Sequence, residues 1–229
     1  VVGGLAPAVH APYNPLPMRP PMLLGAALVA LCAVSAPVRA LESVWARLPA
    51  GLPADSLAPA LLRLEATSPR STAAGAAYAL GQFHHARGEY RLAADAFGRA
   101  AARLTGYERA ESRYRQGLAW LGAGDGGRAR AAFEEVATES QPLRPLAQLG
   151  LAQALAFGGE TEREIAVLKH LLDGPAGEAE PAALERYAAL CDRAHRTSDA
   201  IAARDRLLRR WPRSLEAARL GQPAVLVRP

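Results

Sequence analysis

The sequence predicts an all-α fold made of helical hairpins stacked in a row. Three observations carry this. The first is composition: the chain of 229 residues is half apolar but only 6% aromatic, and Ala, Leu and Arg dominate it. Ala and Leu are strong helix formers, whereas strands draw on β-branched and aromatic residues, so a β-sandwich or a Val/Ile-rich parallel sheet is excluded. The apolar content is too high for a wholly disordered chain. Ala is too small to fill a deep core, so helices must pack closely, with a few Leu, Tyr, Phe and Trp in the gaps. The second observation is a period. Ala93 and Phe97 recur as Ala129 and Phe133 thirty-six residues on, as Glu164 and Leu168 thirty-five further, and as Ala200 and Arg204 thirty-six beyond that. The third is punctuation. Each of these segments follows a helix-like stretch that ends in a turn: AAGAAYALGQFHHARG, AESRYRQGLAWLGAG, PLAQLGLAQALAFGG and PAALERYAALCDRAH. The unit is helix, short turn, helix. One such hairpin cannot bury its apolar face alone, so stability must come from stacked neighbours.

In chain order, residues 1–17 are Pro-rich and precede Met18, and they read as a disordered, over-extended gene start. Residues 18–40 have the layout of a secretory signal: Met18-Arg19 in front, an apolar stretch from Met22 to Ala36, and Val38-Arg39-Ala40 at the end. That stretch is shorter than the ~20 residues a spanning helix needs, and cleavage after Ala40 would leave Leu41 first. The alternative is an uncleaved anchor. A lipid anchor at Cys32 fits less well, because Leu31 precedes it where a small residue is required. If Cys32 leaves with the signal, Cys191 is a lone thiol and no internal disulfide can form. In 41–72, the spacing of Leu57, Leu61, Leu62 and Leu64 predicts a helix over 55–67, a capping helix or half repeat. Four repeats follow within 73–214, at about 74–107, 110–143, 145–178 and 181–214. Residues 215–229 begin a short helix that Gly221 and Pro223 cut off, leaving a tail.

The repeat resembles the tetratricopeptide repeat (TPR) over about residues 74–214. Leu80-Gly81, Gly88-Glu89-Tyr90, Ala93, Phe97 and Ala100 take the places of that motif in the first unit. Gly117, Trp120, Gly124-Asp125, Ala129 and Phe133 do so in the second, Leu151-Ala152, Gly159 and Leu168 in the third, and Tyr187-Ala188, Ala200, Leu207 and Pro212 in the fourth. Glu164 and Arg204 depart from the motif. The resemblance implies a right-handed superhelical solenoid. Gly81, Gly117, Ala152 and Ala188 would sit where helices cross closely, with Phe97 and Phe133 plugging the space toward the next hairpin. The ending Trp211-Pro212-Arg213-Ser214, echoed by Ser68-Pro69-Arg70-Ser71, resembles envelope-associated TPR proteins of bacteria.

The net charge is +5, from 27 basic and 22 acidic residues, and the pI is about 9.7. Arg19 and Arg39 are the only charges in the first forty residues, so removing two from 27 leaves 25 bases against 22 acids from Leu41 onward, or +3. Arg is spread among Glu and Asp rather than clustered, so nucleic-acid binding is not expected. Gly122, Gly124, Gly126 and Gly127 follow a helix and lack the Lys-Ser/Thr ending of a phosphate loop, so a hairpin turn explains them. Cys191 and His195 share a helix face without further ligands nearby, and a core cysteine is the simpler reading than a metal site. No catalytic constellation is legible, and the expectation is a non-enzyme without cofactor or metal. The resemblance implies that the first helices line a groove for a partner peptide or helix. Tyr78, Gln82 and His85 would line it in the first unit, with Glu111, Tyr114, Leu118 and Leu121 in the second. Leu149, Gln153 and Phe157 would do so in the third, and Glu185, Asp192 and Arg193 in the fourth. The alternative is that these side chains pack against the terminal helices. The leading expectation is a periplasmic or secreted scaffold that binds another protein. The rivals are a membrane-tethered self-association module, anchored by residues 22–36, and a metal-binding accessory protein.

Overall fold

The computed structural model describes residues 38–220, which hold eleven α-helices, a short 3-10 turn and no strand. Helices α1 (Val38–Trp45) and α2 (Ala54–Thr67) lead. Four hairpins follow: α3 (Arg70–Ala86) with α4 (Tyr90–Arg103), and α5 (Gly106–Gly122) with α6 (Gly126–Glu139); then α7 (Arg144–Phe157) with α8 (Thr161–Asp173), and α9 (Glu180–Arg193) with α10 (Thr197–Arg210). The 3-10 turn Gly177–Ala179 precedes α9, and α11 (Leu215–Leu220) comes last. Every helix from α2 to α10 packs on its successor, the arrangement of an all-α solenoid of hairpins.

The stretch read as a capping helix, 55–67, falls in α2, which lies on α3 together with α1. Leu41, Val44 and Leu61 are buried there. Helix α1 runs across the expected cleavage point after Ala40. Residues 1–17, the signal as far as Pro37, Cys32, the anchor stretch 22–36 and the tail 221–229 lie outside the described residues. No helix among the described residues is long and apolar enough to cross a membrane.

All four hairpins close with the same turn. Near the end of the first helix one residue takes the left-handed conformation: Gly88, Gly124 and Gly159 at φ 73°, 76° and 67°, then His195 at 58°. In each turn the next N–H reaches back five residues, from Glu89 to the carbonyl of His84, Asp125 to Trp120, Glu160 to Leu155 and Arg196 to Cys191, at 2.8–3.1 Å. This closure satisfies carbonyls that the helix end would leave bare, and glycine suits it because it has no Cβ to clash.

Packing inside the first two hairpins is aromatic ring against glycine. A Cβ on Gly81 would lie 2.6 Å from the ring of Phe97, and one on Gly117 2.7 Å from the ring of Phe133. Phe133 also reaches Gly150 of the next hairpin, where a Cβ would lie 2.6 Å from the ring. In the last two hairpins Ala152 and Ala188 take the small positions, and both belong to one apolar cluster with Leu168, Leu184, Leu190 and Leu207.

The two departures from the motif are resolved by charge. Glu164 is 2% exposed and is held by Arg186 of α9. Arg204, half-buried on the last hairpin, pairs with Asp192 of its own partner helix. Elsewhere too, arginines join helix to helix. Glu65 of α2 binds Arg99 and Arg103 of α4 at 2.8 and 3.3 Å. Buried Glu180 of α9 accepts from Arg206 at 2.7 Å, Arg210 at 2.8 Å and the Trp211 indole at 3.0 Å. The arginine excess is thus largely spent on packing.

Candidate partner-binding face

Two pairs of first helices meet. Helix α5 lies against α7, and a side chain of α3 reaches α5. Each pair of successive second helices is joined instead through the first helix that packs on both. The expected groove residues stand on these first helices.

The inner face is not uniform. His85 and Phe157 are exposed, and Gln82, Tyr114, Leu118, Leu121, Leu149 and Gln153 are half-buried. Leu118 and Leu121 stand on α5 and Leu149, Gln153 and Phe157 on the adjacent α7; Leu149 also packs against the apolar cluster of the last two hairpins, and Phe157 lies beside Gly126 at the start of α6. Tyr78 corrects the expectation. It is 0% exposed, its ring stands edge-on to Phe97 at 5.4 Å between centroids, and its hydroxyl donates to Glu111 Oε1 at 2.9 Å. Glu111, also expected to face outward, is 3% exposed. Both are covered because α5 closes over α3 at this level. In the fourth unit Asp192 is paired with Arg204, and Glu185 with Arg219 at 3.2 Å, so those carboxylates already have cations.

Arg115, which the sequence reading passed over, sits at the centre of this arrangement. Its Nε donates to Glu111 Oε1 at 3.2 Å, and its guanidinium carbon lies 5.6 Å from the centroid of the Tyr78 ring. Burial pushes the Glu111 carboxyl up, against the pull of the Tyr78 hydroxyl and Arg115. Glu111 Oε2 is buried without a hydrogen-bond partner among the described residues. Burial also raises the Tyr78 hydroxyl far above its ordinary range, and raises the Tyr114 hydroxyl. His85 stands against the Tyr90 ring at 5.4 Å. Burial of that side, and then the Arg115 charge, lower its pKa. Three expected groove residues, Tyr78, His85 and Tyr114, thus feel one guanidinium. The spacing of Glu111 and Arg115, four apart on a helix, was a sequence signal for their ion pair alone, not for the contact with Tyr78.

Two clefts lie elsewhere. One of about 340 Å³ is bordered by Gln141, Arg144, Gln148, His170 and Asp173, and one of about 170 Å³ by Lys169, Leu184, Tyr187, Asp199 and Arg206. Neither includes an expected groove residue. Cys191 is fully buried, and burial raises its thiol pKa. His195 lies in the hairpin turn. No group of three or more His, Cys, Asp or Glu suited to a metal occurs among the described residues. Gly124 and Gly126 belong to a hairpin turn whose N-cap, Asp125, accepts from the Arg128 N–H at 2.9 Å.

No family model matches the chain, and no curated protein matches it. Solved structures do. A kinesin light chain from Podosopora anserina with nearly identical TPR-like repeats superposes with a TM-score of 0.57 at 15% identity, over 74% of this chain and 88% of that one. A variant of that same protein gives 0.56 at 15% identity, over 67% and 82%. PilF of Pseudomonas aeruginosa gives 0.49 at 18% identity, over 73% and 80%. The hairpins, their common turns and the superposition on the kinesin light chain repeats agree: by fold, this chain is a TPR-like repeat solenoid.

Proposed function

We propose that the chain is a non-catalytic protein–protein interaction scaffold of the bacterial cell envelope, holding a partner peptide or helix along the inner face of its hairpins. The observation that carries this is that Leu118 and Leu121 on α5 and Leu149 and Phe157 on the adjacent α7 are apolar yet not sealed in the core. Phe157 is 59% exposed there and the leucines are half-buried. Apolar and aromatic side chains with an amide among them suit an amphipathic segment laid into a groove. Export rests on the signal-like layout of residues 18–40.

The test is a comparison of partners retained from envelope extract. Leu118→Glu combined with Phe157→Glu should lose the partner, while Ala131→Glu, at an exposed position on the second helix α6, should retain it. Equal recovery by wild type and both variants would remove the inner face as the binding surface. A mature protein whose intact mass begins at Leu41, found in the periplasmic fraction, is the expected result for localisation.

A further inference from the structure

We infer that the side of α10 that carries Ile201 and Leu208 is a contact surface for a second copy of this chain: the two α10 helices pack antiparallel about a two-fold axis, Ile201 of each against Leu208 of the other. The inference is independent of the partner-binding reading, which concerns the first helices.

The repeat itself marks this surface. Ile201 and Leu208 lie thirty-six residues after Ile165 and Leu172. In the third hairpin Ile165 and Leu172 are 2% and 6% exposed and belong to the apolar cluster that joins α8 to α9. In the fourth, Ile201 and Leu208 keep the same apolar chemistry yet are 53% and 46% exposed. These are the positions that a following helix covers. Helix α11 packs on α10, but its six residues make it less than half as long as the fourteen-residue α10. It buries Ala217 and leaves its own Leu215 63% exposed.

The pattern on this side is complementary to itself, which argues for a second copy as the occupant. Ile201 and Leu208 are two helical turns apart and share one stripe. Between them stand Arg204 and Asp205. When two such stripes lie antiparallel with Ile201 opposite Leu208, Arg204 of each copy falls opposite Asp205 of the other. A parallel pairing would instead set Asp205 against Asp205. Asp205 is exposed, and no cation among the described residues pairs with it. Arg204 holds Asp192 through its two terminal nitrogens, which leaves its Nε for the carboxylate across the axis. Each contact then occurs twice by symmetry, as in an isologous interface. Apolar anchors at the centre, with charges of opposite sign paired between them, give such a contact both affinity and register.

The experiment is sedimentation equilibrium of the full chain over a concentration series, with Cys32→Ser in every protein so that buried Cys191 is the one natural thiol left. The expected result is a reversible dimer. Ile201→Glu combined with Leu208→Glu should weaken it by about a hundredfold, and Asp205→Arg by about tenfold. Both variants should keep the circular dichroism of wild type, because none of these side chains lies in the core. Geometry is read by crosslinking. Chains carrying Ile201→Cys are mixed with chains carrying Leu208→Cys and oxidised with copper phenanthroline. The mixed 201–208 disulfide should dominate over 201–201 and 208–208. Should the double variant lose helix, Asp205→Arg and the crosslinks decide. A monomer at every concentration overturns the inference, as does a dimer that withstands the α10 variants. Like-with-like crosslinks overturn the antiparallel pairing. Dissociation by Trp45→Glu/Leu62→Glu, exposed positions on α1 and α2, would point to head-to-tail stacking and overturn the two-fold contact.

Discussion

The first two hairpins and the last two keep the same register with different chemistry. In α3–α6 a phenylalanine enters the gap that a glycine leaves, Phe97 against Gly81 and Phe133 against Gly117. In α7–α10 alanines and leucines fill that space, and the departures from the motif are answered by ion pairs, Glu164 with Arg186 and Arg204 with Asp192. The same register position reads Phe97, Phe133, Leu168 and Arg204 along the chain. The first three are at most 2% exposed and the last is half-buried. Phe133 shows why, since it reaches into the following hairpin, whereas among the described residues the helix that follows Arg204's hairpin is the six-residue α11. A repeat position is therefore defined by what stacks on it, and a charged residue is tolerated where it is less covered.

The strongest way to break this comparison is truncation along that position. Phe133→Ala should cost about 3–5 kcal/mol and Leu168→Ala about 2–5 kcal/mol, because each leaves a cavity in a closed core. Arg204→Ala should cost about 0–1 kcal/mol, as expected for a partly exposed ion pair. Thermal or urea unfolding measures all three, and a loss at Arg204 equal to that at Phe133 would end the register. Next in size is overpacking. Gly81→Leu should cost ~1–3 kcal/mol, since even a Cβ would meet the Phe97 ring, and an unchanged melting temperature would refute the close crossing.

Two buried glutamates sharpen the contrast further. Glu180, in the last hairpin, accepts from two arginines and an indole, and Glu180→Gln should cost about 2 kcal/mol by weakening charge-assisted bonds. Glu111, in the second, has one oxygen without a hydrogen-bond partner among the described residues and a carboxyl pushed up by burial. A carboxyl raised in the folded state binds its proton more tightly there than in the unfolded chain. Its contribution is thus fullest below the unfolded pKa of about 4.3 and is lost as pH rises through the folded value. Glu111→Gln should therefore gain on wild type in melting temperature as pH is raised from acid toward neutral, and a constant difference would contradict this. The smallest effect concerns the turns. His195 carries in the fourth turn the left-handed backbone that glycine carries in the other three. His195→Gly should stabilise by ~0.5 kcal/mol, while Gly88→Ala should lose ~1 kcal/mol.

Much of the fold was legible in the sequence, because the signals were local and repeated. Spacing marked the helices, Gly88, Gly124 and Gly159 marked the turns, and Gly81 with Phe97 marked a crossing that the structure contains. The inner face was legible only in part. Tyr78 has the spacing of a groove residue yet is sealed, because its exposure depends on how closely α5 approaches α3, a contact thirty-three residues away in the chain. Arg115 was not legible as a face residue because its place over Tyr78 is likewise an inter-hairpin contact. The periodicity of one helix says which side chains share a face. It does not say how far the next helix covers them.

The central claim is that a partner segment lies on the inner face of α3, α5 and α7. Its most direct test is a map of amide chemical-shift changes in the isotope-labelled chain as a peptide from a partner retained from envelope extract is added. The account predicts changes concentrated at His85, Tyr114, Arg115, Leu118, Gln153 and Phe157, and quiet amides on the outer residues of α4, α6 and α8. Changes centred instead on those second helices, or on the cleft at Gln141, Arg144 and His170, would contradict it.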